Sequence, residues 1–206
     1  MFRIAITGKA NTGKNTLATL LDQIIFDNHM LTKLQEPYSG RFMAFADPIK
    51  QIVLTMFPQA KKECLFGPSA LRAEAIPDAF KEGQPLTYRQ ALIDIGTLAR
   101  TYNDLVWIQN FQDRYEKVLL LKQPPQIVVV TDVRFRNEFD HLKDQGFYQI
   151  RLYRDTNAPE TATSKHESET QQATIADDEF DCVLNNNRTL DYLTDEVKKI
   201  IPKLKS

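Results

Sequence analysis

Cysteine is nearly missing from this chain. Two occur in 206 residues, Cys64 and Cys182, far apart and in no C-x-x-C pair. That spacing argues against a disulfide framework or a zinc module and fits a reducing compartment. Long apolar runs are missing too, none approaching the roughly 18 residues that a membrane span needs. Nor does charge of one sign dominate. Lys and Arg number 26 against 27 Asp and Glu, for a net charge of −1. The basic footprint of a nucleic-acid binder or of a protein docking on an anionic membrane is therefore absent. Only 7 glycines and 10 prolines, with 42% hydrophobic and 26% charged residues, exclude collagen-like and disordered classes. No signal peptide is expected, because Phe2–Thr7 already reads as a strand running into Gly8. The expectation is a cytosolic globular enzyme or binding protein, forming one domain or one domain with a lid.

The apolar residues that are present fall into two alternating periods. Strand-like runs occur at 2–7, 41–46, 127–131, 148–153 and 180–184. The third has four consecutive apolar residues, as a strand covered on both faces requires. Between the runs the period becomes helical, beginning with a stripe of Leu17, Leu20, Leu21, Ile24 and Ile25. Asp47-Pro48 reads as a helix start, with Asp capping and Pro at the first helical position. Thr87 followed by Gln90 is a capping-box pattern opening a helix over 87–104. Its core face is predicted to carry Tyr88, Ala91, Leu92, Ile95, Leu98, Ala99 and Tyr102. A last helix carries Leu190, Leu193, Val197, Ile200, Ile201 and Leu204. Strands alternating with helices predict a largely parallel α/β sheet with right-handed crossovers. Residues 58–85, with four prolines, and the polar stretch 155–174 read as long irregular excursions of the functional kind.

Residues 8–14, Gly-Lys-Ala-Asn-Thr-Gly-Lys, form G-x-x-x-x-G-K between the first strand and the first helix. In that setting Gly8, Ala10, Asn11, Thr12 and Gly13 present backbone N–H groups to phosphates, and Lys14 reaches the outer phosphate oxygens. The residue after the lysine, usually Ser or Thr for Mg²⁺, is Asn15, with Thr16 one place later. That shift points to the branch of small-molecule kinases rather than to GTPases or motor ATPases.

The run at 127–131 leads into Asp132-Val133-Arg134-Phe135-Arg136-Asn137-Glu138. An acid at the carboxyl end of a central strand lies beside the phosphate loop in such sheets, where it can hold Mg²⁺ or its waters. Arg134 and Arg136 can clamp phosphate oxygens bidentately. Glu138, in the first turn of the next helix, suits either a site or the helix dipole. On the 87–104 helix a line of Arg89, Ile93, Gly96, Thr97 and Arg100 runs opposite the core stripe. A mid-helix glycine costs about 1 kcal/mol relative to alanine, so something approaches closely there, a packed helix or a flat base. Trp107 beyond it either stacks on a base or plugs the core.

Taken in order, G-K-A-N-T-G-K-N-T, R-Q-A-L-I-D-I-G-T, T-D-V-R-F-R-N-E and H-E-S-E at 166–169 resemble the deoxynucleoside monophosphate kinases of tailed bacteriophages. The resemblance implies a three-layer P-loop kinase fold: α/β, a five-stranded parallel sheet, a helical substrate-binding region and a lid. It implies a single domain over 1–206, with the substrate-binding insertion around 58–117 and the lid around 155–174. Thr12, Lys14, Asn15 and Thr16 would then hold donor phosphates and metal. Arg89, Gln90, Ile93, Gly96, Thr97 and Trp107 would line the acceptor pocket, and Asp132, Arg134 and Glu138 would contact acceptor or metal. The family often has Asp where Asn15 stands. In the lid, Lys165 and His166 are the basic groups after Arg154, with His166 read as a surface residue of a short capped helix or as a catalyst.

The expected reaction is transfer of the γ-phosphoryl of ATP to a deoxynucleoside 5′-monophosphate with Mg²⁺, Lys14, Asp132 and Arg134 as its core. ATP and the monophosphate are the expected partners, with no nucleic acid and no membrane. The oligomeric state is open between monomer and homodimer, and the location is the cytoplasm, the host's if the gene is a phage's. A P-loop kinase for another small phosphorylated acceptor shares the donor site. A switch is disfavoured because N-K-x-D and D-x-x-G motifs are missing, and a DNA-handling ATPase because no basic stripe exists.

Overall fold

The computed structural model describes residues 1–32, 38–155 and 167–204. They form two units, one of residues 1–44 and 114–206, the other of residues 45–113. The first is built on a five-stranded sheet of β1 (Phe2–Thr7), β2 (Gly40–Met43), β5 (Ile127–Val133), β6 (Tyr148–Tyr153) and β7 (Cys182–Asn185). The order is β2-β5-β1-β6-β7 and every pairing is parallel. The α/β class with a five-stranded parallel sheet is therefore what the chain adopts. Strands β1 and β6 match the sequence reading residue for residue. β2 ends three residues earlier than expected, and β7 is displaced toward the C-terminus. At β7 the ladder is prolonged by Asp181, whose N–H donates to Gln149 O at 3.0 Å while its carboxylate accepts from Gln149 N at 2.7 Å.

Strand alternation decides which residues meet which helix. Ile4, Ile6, Ile127, Val129, Ile150 and Leu152 form one face. Against it pack Leu17, Leu21 and Ile25 of α1 (Lys14–Thr32) and Leu193, Val197 and Ile200 of α8 (Leu190–Ile200). Pro202 ends the α-helical hydrogen bonding, and a 3₁₀ turn at Ile201–Lys203 carries Leu204 back to the core. Ala5, Val128 and Val130, on the opposite face, are equally buried. α6 (Arg136–Asp144) adds the buried Phe139 and Leu142, with the Phe139 ring tilted at 58° to that of Phe180, centroids 4.9 Å apart. The described part of the expected lid is α7 (Glu167–Thr174); residues 156–166, with Lys165 and His166, lie outside the described residues.

Burial also leaves a pH signature on α6, where it holds the His141 imidazole below its ordinary 6.5 against an opposing pull from Asp144. A histidine depressed in the folded state binds fewer protons than in the unfolded chain. Its stabilising effect is therefore complete above 6.5 and is lost as pH falls from there through the folded value. Melting temperature is expected to drop on acidification below that point, and less steeply in His141→Gln. Equal slopes would contradict the assignment.

The second unit holds α2 (Asp47–Met56), α3 (Lys62–Phe66), a hairpin of β3 (Ala75–Lys81) and β4 (Gln84–Thr87), α4 (Tyr88–Tyr102) and the start of α5 (Val106–Leu119). The stretch 58–85 is thus more ordered than its prolines suggest. Pro77 and Pro85 sit in a two-stranded ribbon, where a missing donor costs little, and Glu82-Gly83 turns it with both residues at positive φ. Asp47 is the first residue of α2 rather than its cap, which is Ala46, and its carboxylate pairs with Lys50 at 2.9 Å. Thr87 does cap α4, accepting from Gln90 N at 3.1 Å. The predicted apolar stripe on α4 holds only through its first turns. Tyr88 and Ala91 are buried, whereas Leu98 is 57% and Tyr102 84% exposed.

Candidate functional site

The phosphate loop runs over residues 8–14 from the end of β1 into α1. Gly8 is buried, Ala10 and Asn11 are exposed, and Asn11 adopts a φ of 62°. Thr12 is buried, its hydroxyl donating to Lys9 O at 3.0 Å and its carbonyl accepting from Asn186 Nδ2 at 2.8 Å. Lys14 opens α1 and folds back over the loop. Its Nζ donates to Gly8 O at 2.5 Å and to Lys9 O at 2.7 Å. The ammonium therefore rests among loop carbonyls beside the helix N-terminus, whose first N–H groups lack intrahelical acceptors. Asn15 and Thr16 are exposed on the first turn of the same helix.

Gly13 is required twice over. Its φ is 97°, and a Cβ placed there would stand 2.5 Å from Asn186 Nδ2. Gly13→Ala is expected to cost about 1–3 kcal/mol in backbone strain alone, and to loosen the Asn186 brace on Thr12. Thermal unfolding checks this. A melting temperature unchanged from the parent would show that the loop does not need this geometry.

Beside the loop, β5 carries the acid. Between Ala5 and Thr7 of β1 the pairing slips, Ala5 facing Val130 but Thr7 facing Val133. One extra residue is accommodated in β5, so Asp132 lies in a bulge, a device that re-aims side chains at strand ends. Asp132 and Arg134 are both half-buried. Glu138 is 2% exposed, and its Oε2 accepts from the backbone N–H of Arg134 at 2.9 Å and of Phe135 at 3.1 Å. The carboxylate thereby fixes the backbone of the arginine segment at the start of α6. Arg136 points elsewhere, pairing with Asp140 at 2.9 Å and Glu179 at 2.8 Å. On the α1 face of the sheet a cleft of about 240 Å³ is lined by Asn15, Ala18, Thr19, Phe42 and Thr131.

The remaining candidates lie in the second unit, on or beside α4. Arg89 Nη2 donates to Ser69 O at 3.2 Å, and Gln90 Nε2 to Asp94 at 2.8 Å. Ile93 is half-buried and Thr97 exposed. At Gly96 an added Cβ would come 3.3 Å from Ile49 Cδ1, so α2 is the close neighbour there. Trp107 is 4% exposed and its Nε1 donates to Gly96 O at 3.0 Å. The structure thus brings Lys14, Asn15, Thr16 and the Asp132–Arg134 segment onto neighbouring strand ends of one unit, and Arg89, Gln90, Ile93, Gly96, Thr97 and Trp107 together in the other.

Three residues in the first unit escaped the sequence reading. Asn186 braces Thr12; its signal is a run of three asparagines just past a strand. Arg151, on β6, is buried and holds the segment after α7, donating to Ile175 O and, at 2.9 Å, to Asp177 Oδ1. An arginine set between Ile150 and Leu152 of a strand was the available signal. Gln172, on α7, bonds both motif segments and had none.

A parallel sheet whose first βα turn is a G-x-x-x-x-G-K loop, with its lysine folded over the loop carbonyls, defines a phosphate-loop α/β protein. The chain is also similar to a viral protein from Acanthamoeba polyphaga mimivirus named "Putative deoxynucleotide monophosphate kinase". The two are 28% identical over 207 residues, covering 96% of this chain and 94% of the other. Among solved structures, similarity extends over 97% of this chain to 95% of the dephospho-CoA kinase of Campylobacter jejuni, at 10% identity and a TM-score of 0.47. The APS kinase of Mycobacterium tuberculosis matches over 98% of both chains, at 13% identity and a TM-score of 0.39. No protein-family model matches the chain. Among the described residues, no helix is long and apolar enough to cross a membrane.

Proposed function

We propose that this chain is a nucleotide kinase that transfers the γ-phosphoryl group of ATP to the 5′-phosphate of a deoxynucleoside monophosphate. The observation that carries the reading is the pairing of Lys14, poised on the Gly8 and Lys9 carbonyls, with Asp132 and Arg134 at the end of the strand hydrogen-bonded to β1. The near full-length similarity to the mimivirus protein supports a nucleotide as acceptor.

A monophosphate is already an oxyanion at neutral pH, so no strong general base is needed. Alignment and neutralisation of charge on the transferring group supply the catalysis. In this reading the loop N–H groups of residues 8–13 hold the donor phosphates, while Lys14 leaves its carbonyls for phosphate oxygens. Arg134, its backbone fixed by Glu138, bridges donor and acceptor phosphates. Mg²⁺ suits the donor set of Thr16 hydroxyl, Asn15 amide oxygen and Asp132 carboxylate. These are hard oxygens, two on the exposed first turn of α1 and one at the end of β5, the donor type that would hold Mg²⁺ alongside water. When bound, it supplies charge neutralisation between the outer phosphates.

An ADP-release assay with ATP, Mg²⁺ and a panel of deoxynucleoside and ribonucleoside monophosphates tests the acceptor class. The expected result is turnover with one or more deoxynucleotides. Turnover confined to another phosphorylated metabolite would replace the acceptor while keeping the donor site.

A further inference from the structure

The site as proposed has two arms, the phosphate loop and the 132–134 segment, and a buried side chain joins them. Gln172 on α7 is 4% exposed. Its Nε2 donates to Gly8 O at 3.3 Å and to Val133 O at 3.1 Å. Gly8 opens the phosphate loop, and Val133 lies between Asp132 and Arg134. One amide, with two donors and two buried carbonyl acceptors, thus spans both arms.

The Gly8 carbonyl is shared, because it also accepts from Lys14 Nζ at 2.5 Å. A lysine that moves to a phosphate oxygen gives up that carbonyl. Leaving a buried acceptor without a partner is unfavourable, which would oppose donor binding. With Gln172 in place the carbonyl keeps a donor when the ammonium departs. Gln172 is itself held from behind: Arg151 Nη2 donates to its backbone carbonyl at 2.9 Å, and the Arg151 guanidinium lies over the Tyr153 and Phe180 rings, 5.3 and 4.9 Å from their centroids.

Building on the phosphoryl-transfer reading, we infer that Gln172 is a positioning residue that sets the distance between the phosphate loop and the Asp132–Arg134 segment. By keeping the Gly8 carbonyl bonded, it lets Lys14 move onto the donor phosphates. Its effect belongs to the donor side of the site.

The test uses the full chain with Gln172→Met, which removes both donors at similar volume, and Gln172→Asn, which keeps an amide too short to span both carbonyls. ATP affinity is measured by calorimetry, and kcat and both KM values by ADP release. Gln172→Met is expected to lose roughly 10–100-fold in kcat/KM for ATP, the scale of a misplacement of about 1 Å. ATP affinity should weaken with it, the acceptor KM should stay within about threefold of the parent, and Gln172→Asn should fall between. Parental ATP affinity and kcat in both variants would overturn the assignment. So would losses that track only a lowered melting temperature and strike both substrates alike, since Gln172 would then be a packing residue. If the parent binds ATP but turns over no nucleotide acceptor, the functional reading fails, and the ATP affinities of the variants still decide the role of Gln172.

Discussion

Lys14→Ala is expected to leave the protein folded and to abolish the proposed phosphoryl transfer. The side chain is half-buried at the first position of α1, and its bonds to the Gly8 and Lys9 carbonyls are within a loop that Thr12 and Asn186 also brace. Little of the core depends on it, so melting should shift by no more than a few degrees. Activity depends on it far more. A preorganised cation facing charge that develops in the transition state is worth about 10²–10³-fold in kcat, and loss of donor binding adds to this in kcat/KM. Lys14→Arg is not a rescue, because the planar guanidinium cannot occupy the compact ammonium position between two carbonyls. Parental kcat/KM in Lys14→Ala, measured by ADP release, would remove the phosphate loop from the chemistry.

The second large effect is at Arg134. Its backbone is tied by Glu138 at the start of α6, one residue past the carbonyl that Gln172 holds. If it bridges donor and acceptor phosphates, Arg134→Ala lowers kcat by about 10²-fold or more while ATP affinity stays close to that of the parent. Arg134→Lys should recover little of this, since one point charge does not replace a bidentate fork. Steady-state kinetics with both substrates varied gives the answer. An unchanged kcat with only a raised KM for ATP would make Arg134 a donor-binding group and vacate the bridging role.

The contrast between Lys14 and Gln172 explains how much of this site is legible in the sequence. Lys14 is local: strand, glycine turn and helix start are encoded within a dozen consecutive residues, and phosphate binding needs that order. The sheet was legible for the same reason, since four successive apolar residues at 127–130 leave a strand few alternatives. Gln172 is far from both carbonyls it bonds in sequence, and a glutamine in a polar stretch carries no periodic signal. The bulge at Asp132 was hidden likewise, because it is a property of the pairing with β1 and not of either strand alone. The hairpin of β3 and β4 was obscured by Pro77 and Pro85, although Glu-Gly between two short runs was the local mark of its turn. On α4 the helical period was correct, but which side is covered depends on neighbours such as Ile49 and Trp107 that periodicity does not name.

In the proposed reaction a phosphoryl group passes from ATP to a deoxynucleoside monophosphate without going to water. It is tested most directly by incubating the protein with γ-labelled ATP, Mg²⁺ and each deoxynucleoside monophosphate in turn, and separating the labelled products. The account predicts label in a deoxynucleoside diphosphate, dependent on both Lys14 and Arg134. Label appearing only as inorganic phosphate, at a rate indifferent to the acceptor, would contradict it.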